Sequence, residues 1–329
     1  MARLAQRQLH AGAAGLTCAK LSEAEALLGA FGSGAIKNRP ASCSLFLAHS
    51  LVDARQAPRL RNLAGMLDEL IVACTSEAHV PHLEKVLAAA DLELPVMLAL
   101  DTGLGREGAR DTAGAVRLAH AIAAQTHMKL HGIYTHEGHL YGDSPQPLAE
   151  RIEGVHDQLV ATRDAIQSEL RVELKLWPGS SVGALHMATL PGVDAVRPGA
   201  YVFGDLALCE TTRTMRTTDI ALTVLAMVVD KPQSGLAIID AGSKVFSSDK
   251  TRAGIFARHY AGRDLIVSKL SEEHGHVSGR DVDSLQIGER VRFVPAHVCT
   301  TINLAHEVNV LCDDVVVEQW PIEARGCVR

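Results

Sequence analysis

Between residues 16 and 204, short apolar runs alternate with helix-like stretches, and this rhythm constrains the fold more than any other feature. The runs are LTCAK (16–20), CSLFLA (43–48), ELIVAC (69–74), LPVMLALD (94–101), KLHGIYTH (129–136) and VELKLW (172–177). Continuous apolar strands separated by helices predict a parallel sheet covered on its faces. So regular an alternation over this length favours a barrel. An eight-stranded α/β barrel needs about eight such runs, and a short stretch at 193–204 is the next candidate. At least one strand is missing from the count, and the sequence opens on MARLAQRQLH, an amphipathic helix pattern with only a methionine before it. The expectation is a barrel incomplete at its N-terminus.

From about residue 219 the pattern changes. DIALTVLAMVVD, GLAIIDAG, DLIVSKL, ERVRFVPAHVC, AHEVNVLC and DVVVEQWPI read as strands separated by turn residues. This predicts a second, mostly antiparallel β domain, with the division at 1–215 and 216–329.

Composition excludes several classes. The net charge of −6 comes from scattered charges of both signs, with no basic run for nucleic acid. No apolar run reaches the roughly 18 residues of a membrane span. The cysteines, seven in number, include no C-x-x-C pair, which argues against a disulfide framework. A reduced, cytoplasmic location is the expectation.

Barrel sites lie at the C-terminal ends of the strands. There the chain places Lys20, DTGLGREG (101–108), YTHEGHLYG (134–142), WPGSSVGALHM (177–187) and RPGAYVFGD (197–205). Gly179, Ser180 and Ser181 offer backbone N–H groups and hydroxyls to a phosphate, or form an N-cap in an ordinary loop. Arg106 suits an anionic or phenolate oxygen, or sits solvated in a turn. His136 and His139 are close enough in sequence for a metal pair, though a stacking or hydrogen-bonding histidine is the commoner use. In PAHVC, His297 and Cys299 at i, i+2 would face one side of an extended strand, as zinc ligands or as a half-buried strand pair. Asp240, Glu273 and His274 stand at strand-to-turn positions in the same domain.

Taken in order, AGAAGLTCAKLSEAEAL, DTGLGREG, GIYTHEGHLYG, VRPGAYVFGD, DAGSK, EEHG, RFVPAHVCTTINL and the terminal ARG resemble one family. It is that of the fold-type III pyridoxal-phosphate enzymes, in the branch of D-threonine aldolase and zinc-dependent D-serine dehydratase. The resemblance implies an alanine racemase-like (β/α)8 barrel joined to a β domain, a homodimer, and pyridoxal 5'-phosphate with zinc. It implies that Tyr141, Gly179, Ser180, Ser181 and Tyr201 surround the cofactor, with Ser180, Ser181 and Tyr201 on its phosphate. Arg106 would lie near the phenolic oxygen and His136 against the ring, with His297 and Cys299 on zinc and Asp240 and His274 on the substrate side. Aldolase-type members resemble His-x-Asp at the metal pair, whereas the dehydratase type has His-x-Cys. Cys299 therefore points to β-elimination on a D-3-hydroxy amino acid, giving keto acid and ammonia. Retro-aldol cleavage of D-threonine or 3-hydroxyaspartate is the alternative, and a non-catalytic cofactor- and zinc-binding remnant is the alternative of another class.

One departure stands out. The family's Schiff-base lysine lies in a His- and Lys-rich motif that nothing in this chain matches. Lys20 is a substitute candidate, while Lys175 within a strand and Lys244 in the second domain do not fit. The connection SGAIKNRPASCSLFLAHSLVD (33–53) is also longer and more polar than its counterpart in relatives.

Overall fold

The computed structural model describes residues 1–32, 43–142 and 144–328. The first part of the long polar connection, 33–42, lies outside the described residues.

Two compact units divide the chain: Met1–Arg197 with Glu307–Arg329, and Pro198–His306. The boundary expected at 215/216 thus falls inside the second unit. The last two strands belong with the first unit and not with the β domain.

In the first unit a parallel sheet runs in sequence order: β1 (Gly15–Cys18), β2 (Ser44–Leu47), β3 (Glu69–Cys74), β4 (Leu94–Ala99), β5 (Met128–Tyr134) and β6 (Lys175–Trp177). All six apolar runs form strands. Helices α1 (Ala2–His10), α2 (Leu21–Gly32), α3 (Ala57–Ala64), α4 (Val80–Ala90), α5 (Thr112–Ala123) and α6 (Leu148–Leu170) precede or connect them. Residues sharing a register row in parallel strands share a face. Phe46, Ile71, Ala73, Met97, Ala99 and Tyr134 accordingly form one buried inner cluster. The result is a curled sheet, a half-barrel. The candidate strand at 193–204 does not form: it holds only a short 3-10 turn, Ala200–Val202. The backbone N–H groups of Asp194 and Ala195 instead both reach the Leu176 carbonyl, so this segment caps β6 without extending the sheet.

Helix α1 has no capping side chain at its own start. The Ala2 N–H donates instead to Glu323 Oε2 at 2.9 Å, a carboxylate beyond the two-stranded sheet of β13 (Glu307–Cys312) and β14 (Val315–Pro321). Arg3 pairs with Glu318, and the Arg7 guanidinium stacks over Trp320 at 4.6 Å. This terminal segment supplies the cap that the sequence lacks. Glu323→Ala should cost about 1 kcal/mol, the usual worth of an N-cap, read as a lower urea midpoint.

The second unit is a closed antiparallel barrel in the order β10 (Ile266–Leu270), β11 (Gly275–Ser278), β8 (Leu236–Ile239), β7 (Val224–Gln233), β12 (Arg290–Pro295), β9 (Ala257–His259). Alternate residues point inward, and Ala226, Val228, Ile239, Val267, Val277 and Phe293 pack its core. No helix among the described residues is long and apolar enough to cross a membrane.

Candidate functional site

The C-terminal edge of the parallel sheet carries the first unit's polar machinery. Beyond β4, the loop DTGLGREG is folded around Asp101. This buried carboxylate accepts N–H bonds from Gly103 and Gly105 and pairs with Arg110. Gly103 has φ +132° and Gly108 φ +107°, conformations that L side chains rarely adopt. Burial by itself would raise the Asp101 pKa. The Gly105 and Gly103 amides, with Arg110, outweigh it and hold the carboxyl below its ordinary range. At the loop tip Arg106 bonds Glu107 at 2.9 Å and is not an isolated cation. Arg106, Asp101, Tyr134 and His136 line one small hollow.

Beyond β5 the backbone delivers His136 and Glu137. The His136 Nδ1 lies 2.6 Å from the Gly179 carbonyl. A carbonyl only accepts, so Nδ1 carries the proton. Burial pushes the ring's pKa down despite that bond, with Arg106 and Arg197 nearby adding to the effect. The imidazole is therefore neutral. Among the described residues its Nε2 has no hydrogen-bond partner. Glu137 is buried, and its Oε2 accepts the Gly179 N–H at 2.9 Å. Among the described residues its buried Oε1 has no hydrogen-bond partner. Burial raises the carboxyl's pKa against the opposing pull of its own amide, the Gly179 amide and Arg197.

These bonds change the reading of WPGSS. The Gly179 N–H is occupied by Glu137, and the Ser180 hydroxyl accepts from the Gly183 N–H at 3.2 Å. The capping geometry is therefore real, and Ser180 can still donate its own hydroxyl proton to an anion. Only glycine fits at 179, because a Cβ there would lie 2.6 Å from the Arg197 guanidinium. Arg197 is half-buried, donates to the carbonyls of Thr135 and Trp177, and lies over the rings of Phe46 and Tyr134. Ser181 is half-buried in the same loop, and Tyr141 closes the 3-10 turn Gly138–Tyr141. The His139 ring packs on Gly103, and among the described residues its buried Nδ1 has no partner. Lys20 lies at the C-terminal side of β1, where its ammonium donates to His49 Nε2 at 2.9 Å.

In the second unit β12 ends at Pro295. His297 is then the extended residue (φ −140°, ψ 123°) before the helix Val298–Leu304. The expected placement of His297 and Cys299 on one extended strand is thus corrected. Cys299 sits in the first helical turn, close enough to His297 to act on its ring. Fully buried Asp205 orients the pair: its Oδ2 accepts from His297 Nδ1 at 3.0 Å and from the Val298 N–H, and its Oδ1 from the Leu208 N–H. This carboxylate first, then Cys299, pushes the His297 pKa up to about 10. A metal would have to displace the Nε2 proton. Tyr201, also in this unit, is partly exposed in its 3-10 turn. Asp240 accepts the Met227 N–H at 2.7 Å, the His274 carbonyl accepts from Ser271, and Lys244 pairs with Glu273.

Sequence reasoning passed over Glu137, Arg197 and Asp205. Each lies inside a quoted motif (YTHEGHLYG or RPGAYVFGD), and the usable signal was a charged residue embedded among glycines and apolar residues at a strand end.

A parallel half-barrel with an anion-type loop, joined to an antiparallel barrel bearing His-x-Cys, defines the alanine racemase-like class of pyridoxal-phosphate enzymes. The family model "Alanine racemase, N-terminal domain" matches residues 1–207, and "Putative serine dehydratase domain" matches 221–311. The chain belongs to this family. It is 26% identical over 324 residues to the 3-hydroxy-D-aspartate aldolase of Paracoccus denitrificans (strain Pd 1222), covering 96% of this chain and 79% of that one. It is 29% identical over 347 residues to the D-threo-3-hydroxyaspartate dehydratase of Delftia sp. (strain HT23), covering 96% and 86%. The crystal structure of D-threonine aldolase from Filomicrobium marinum superposes with a TM-score of 0.87 at 24% identity, covering all of this chain and 86% of that one. Its relatives are thus pyridoxal-phosphate lyases of D-hydroxy amino acids.

Proposed function

We propose that this protein is a zinc-assisted lyase that eliminates water from a D-3-hydroxy amino acid, as a D-serine dehydratase does, giving a keto acid and ammonia. The observation that carries the reading is the His297–Cys299 pair held by buried Asp205. An imidazole nitrogen and a thiolate are zinc donors in kind. A carboxylate behind the imidazole is the usual arrangement behind a metal-bound histidine. The donors fall short in number, since no group of three or more His, Cys, Asp or Glu able to hold a metal occurs among the described residues. Water or substrate would complete the shell. Zinc there would supply a Lewis acid for a departing hydroxyl.

The first unit fits pyridoxal phosphate on the ring side. Neutral His136 lines a hollow with Arg106, which would face the phenolic oxygen, and Ser180 would donate to the phosphate. Bound there, the cofactor supplies an electron sink for charge developing at the substrate Cα. Arg106 orients, His136 holds the ring, and the inner cluster below excludes water. For a covalent anchor, Lys20 is the only lysine among the first unit's described residues at the C-terminal edge of the sheet. Lys129 and Lys175 lie at the opposite ends of their strands. Its contact with His49 leaves the substitution to be tested. Borohydride reduction of the cofactor-loaded chain followed by peptide mapping would label Lys20 if it takes the aldehyde.

The reaction is tested with D-serine and 3-hydroxy-D-aspartate. Keto acid and ammonia support elimination, and glycine with an aldehyde supports the aldolase alternative, which the Paracoccus relative's activity favours. A chain that binds cofactor and zinc but yields neither product set would be the non-catalytic remnant. Sedimentation would test the proposed homodimer. Asp205→Asn should weaken zinc binding 10- to 100-fold, measured by competition with a chromogenic chelator. Unchanged affinity would remove the metal from the reading.

A further inference from the structure

We infer that Glu137 is a positioning residue for His136, acting through the two sides of Gly179. Glu137 Oε2 accepts the Gly179 N–H, and the Gly179 carbonyl accepts the His136 Nδ1–H. His136 and Glu137 are adjacent in the chain, so the three residues close a ring of bonds between the ends of β5 and β6. Nothing else holds the imidazole by a hydrogen bond among the described residues. The 2.6 Å contact with a carbonyl fixes which nitrogen carries the proton, and it holds only while Gly179 keeps its place.

Two observations show that the loop needs Glu137 to stay there. The Gly179 amide is buried with Glu137 as its acceptor, and an abandoned buried donor costs free energy. On the other side, Arg197 already occupies the space that a Cβ at 179 would need, so the loop cannot move inward. Without Glu137, the free movement is outward, carrying the Gly179 carbonyl away from Nδ1. The ring would then turn, and its bare Nε2 would no longer be presented at a fixed position. Among the described residues the Gly179 N–H is the one hydrogen bond that this carboxyl accepts from outside its own residue, and its Oε1 takes no other.

This inference rests on the proposed cofactor reading for its consequence, but the bond ring itself does not. The test is ¹⁵N NMR of the histidine rings of the full chain, with His136→Asn assigning the signal, in Glu137→Ala and Glu137→Gln. Wild type should show the Nδ1–H tautomer at His136. Glu137→Ala should show exchange between tautomers and about 10-fold weaker retention of added pyridoxal phosphate, read by its absorbance. Glu137→Gln keeps an acceptor for the Gly179 amide and should restore both. If Glu137→Ala folds and keeps the wild-type His136 signature, or Glu137→Gln matches Glu137→Ala, the inference is overturned. Should wild type retain no cofactor while the tautomer still depends on Glu137, the functional reading fails and the positioning role stands.

Discussion

Arg197→Met lowers the stability of the first unit by about 3 kcal/mol, the cost of leaving the carbonyls and the buried carboxylate beside it without their positive partner. The guanidinium bonds the Thr135 and Trp177 carbonyls and lies 5.4 Å and 5.2 Å from the ring centres of Phe46 and Tyr134. Burial lowers its pKa, against the pull of Glu137 and Tyr134, yet a guanidinium stays protonated inside a protein. Methionine would fill much of the volume and leave those carbonyls without their donor and Glu137 without its nearby cation. Domains are stable by only about 5–15 kcal/mol, so the variant should approach the unfolding threshold. Arg197→Lys should not rescue it, because an ammonium cannot span carbonyls on two strands as a planar fork does. The chain's two tryptophans, Trp177 and Trp320, both lie in the first unit. Their fluorescence in urea therefore reports this unit without the β barrel. An unchanged midpoint would mean that the guanidinium is replaceable by apolar packing.

The same cluster shows what the sequence could and could not carry. Strands buried on both faces write themselves as apolar runs, and all six in the first unit were legible for that reason. β9 and β11 were not, because ARH and GHVS carry charged and polar residues where the other strands show an apolar run. The motifs located the strand-end loops correctly. They did not reveal which polar groups were already used by the protein. Gly179 and Ser180 look like free phosphate ligands in one dimension. In three, Glu137 takes the first amide, and Ser180 caps the turn. His297 and Cys299 do come close, although through a helix start instead of an extended strand, because the fold ends β12 at Pro295. The capping of α1 by Glu323, 321 positions away, has no local trace at all.

Asp101 governs the other wall of the hollow, and Asp101→Ala should cost about 3 kcal/mol through lost charge-assisted hydrogen bonds. Two glycine amides and Arg110 converge on this one carboxylate. Gly103, Gly105 and Gly108 can take their positive φ values without a Cβ, but that freedom also lets the loop wander once its anchor is gone. Asp101→Asn keeps one acceptor oxygen and loses the charge opposite Arg110, so it should fall between wild type and alanine. The pH dependence has a definite sign. The folded carboxyl titrates below its ordinary range, so the unfolded chain binds the proton more readily. The stabilisation is complete above the unfolded value of about 3.9 and is lost as the pH falls through the lower, folded value. Wild type should therefore be more stable than Asp101→Asn at pH 7, and the gap should close only below about pH 4. Tryptophan fluorescence in urea at a series of pH values measures it. A gap that stays constant down to pH 3 would assign the effect to shape alone, with the charge on Asp101 playing no part in holding Arg106 at the mouth of the hollow.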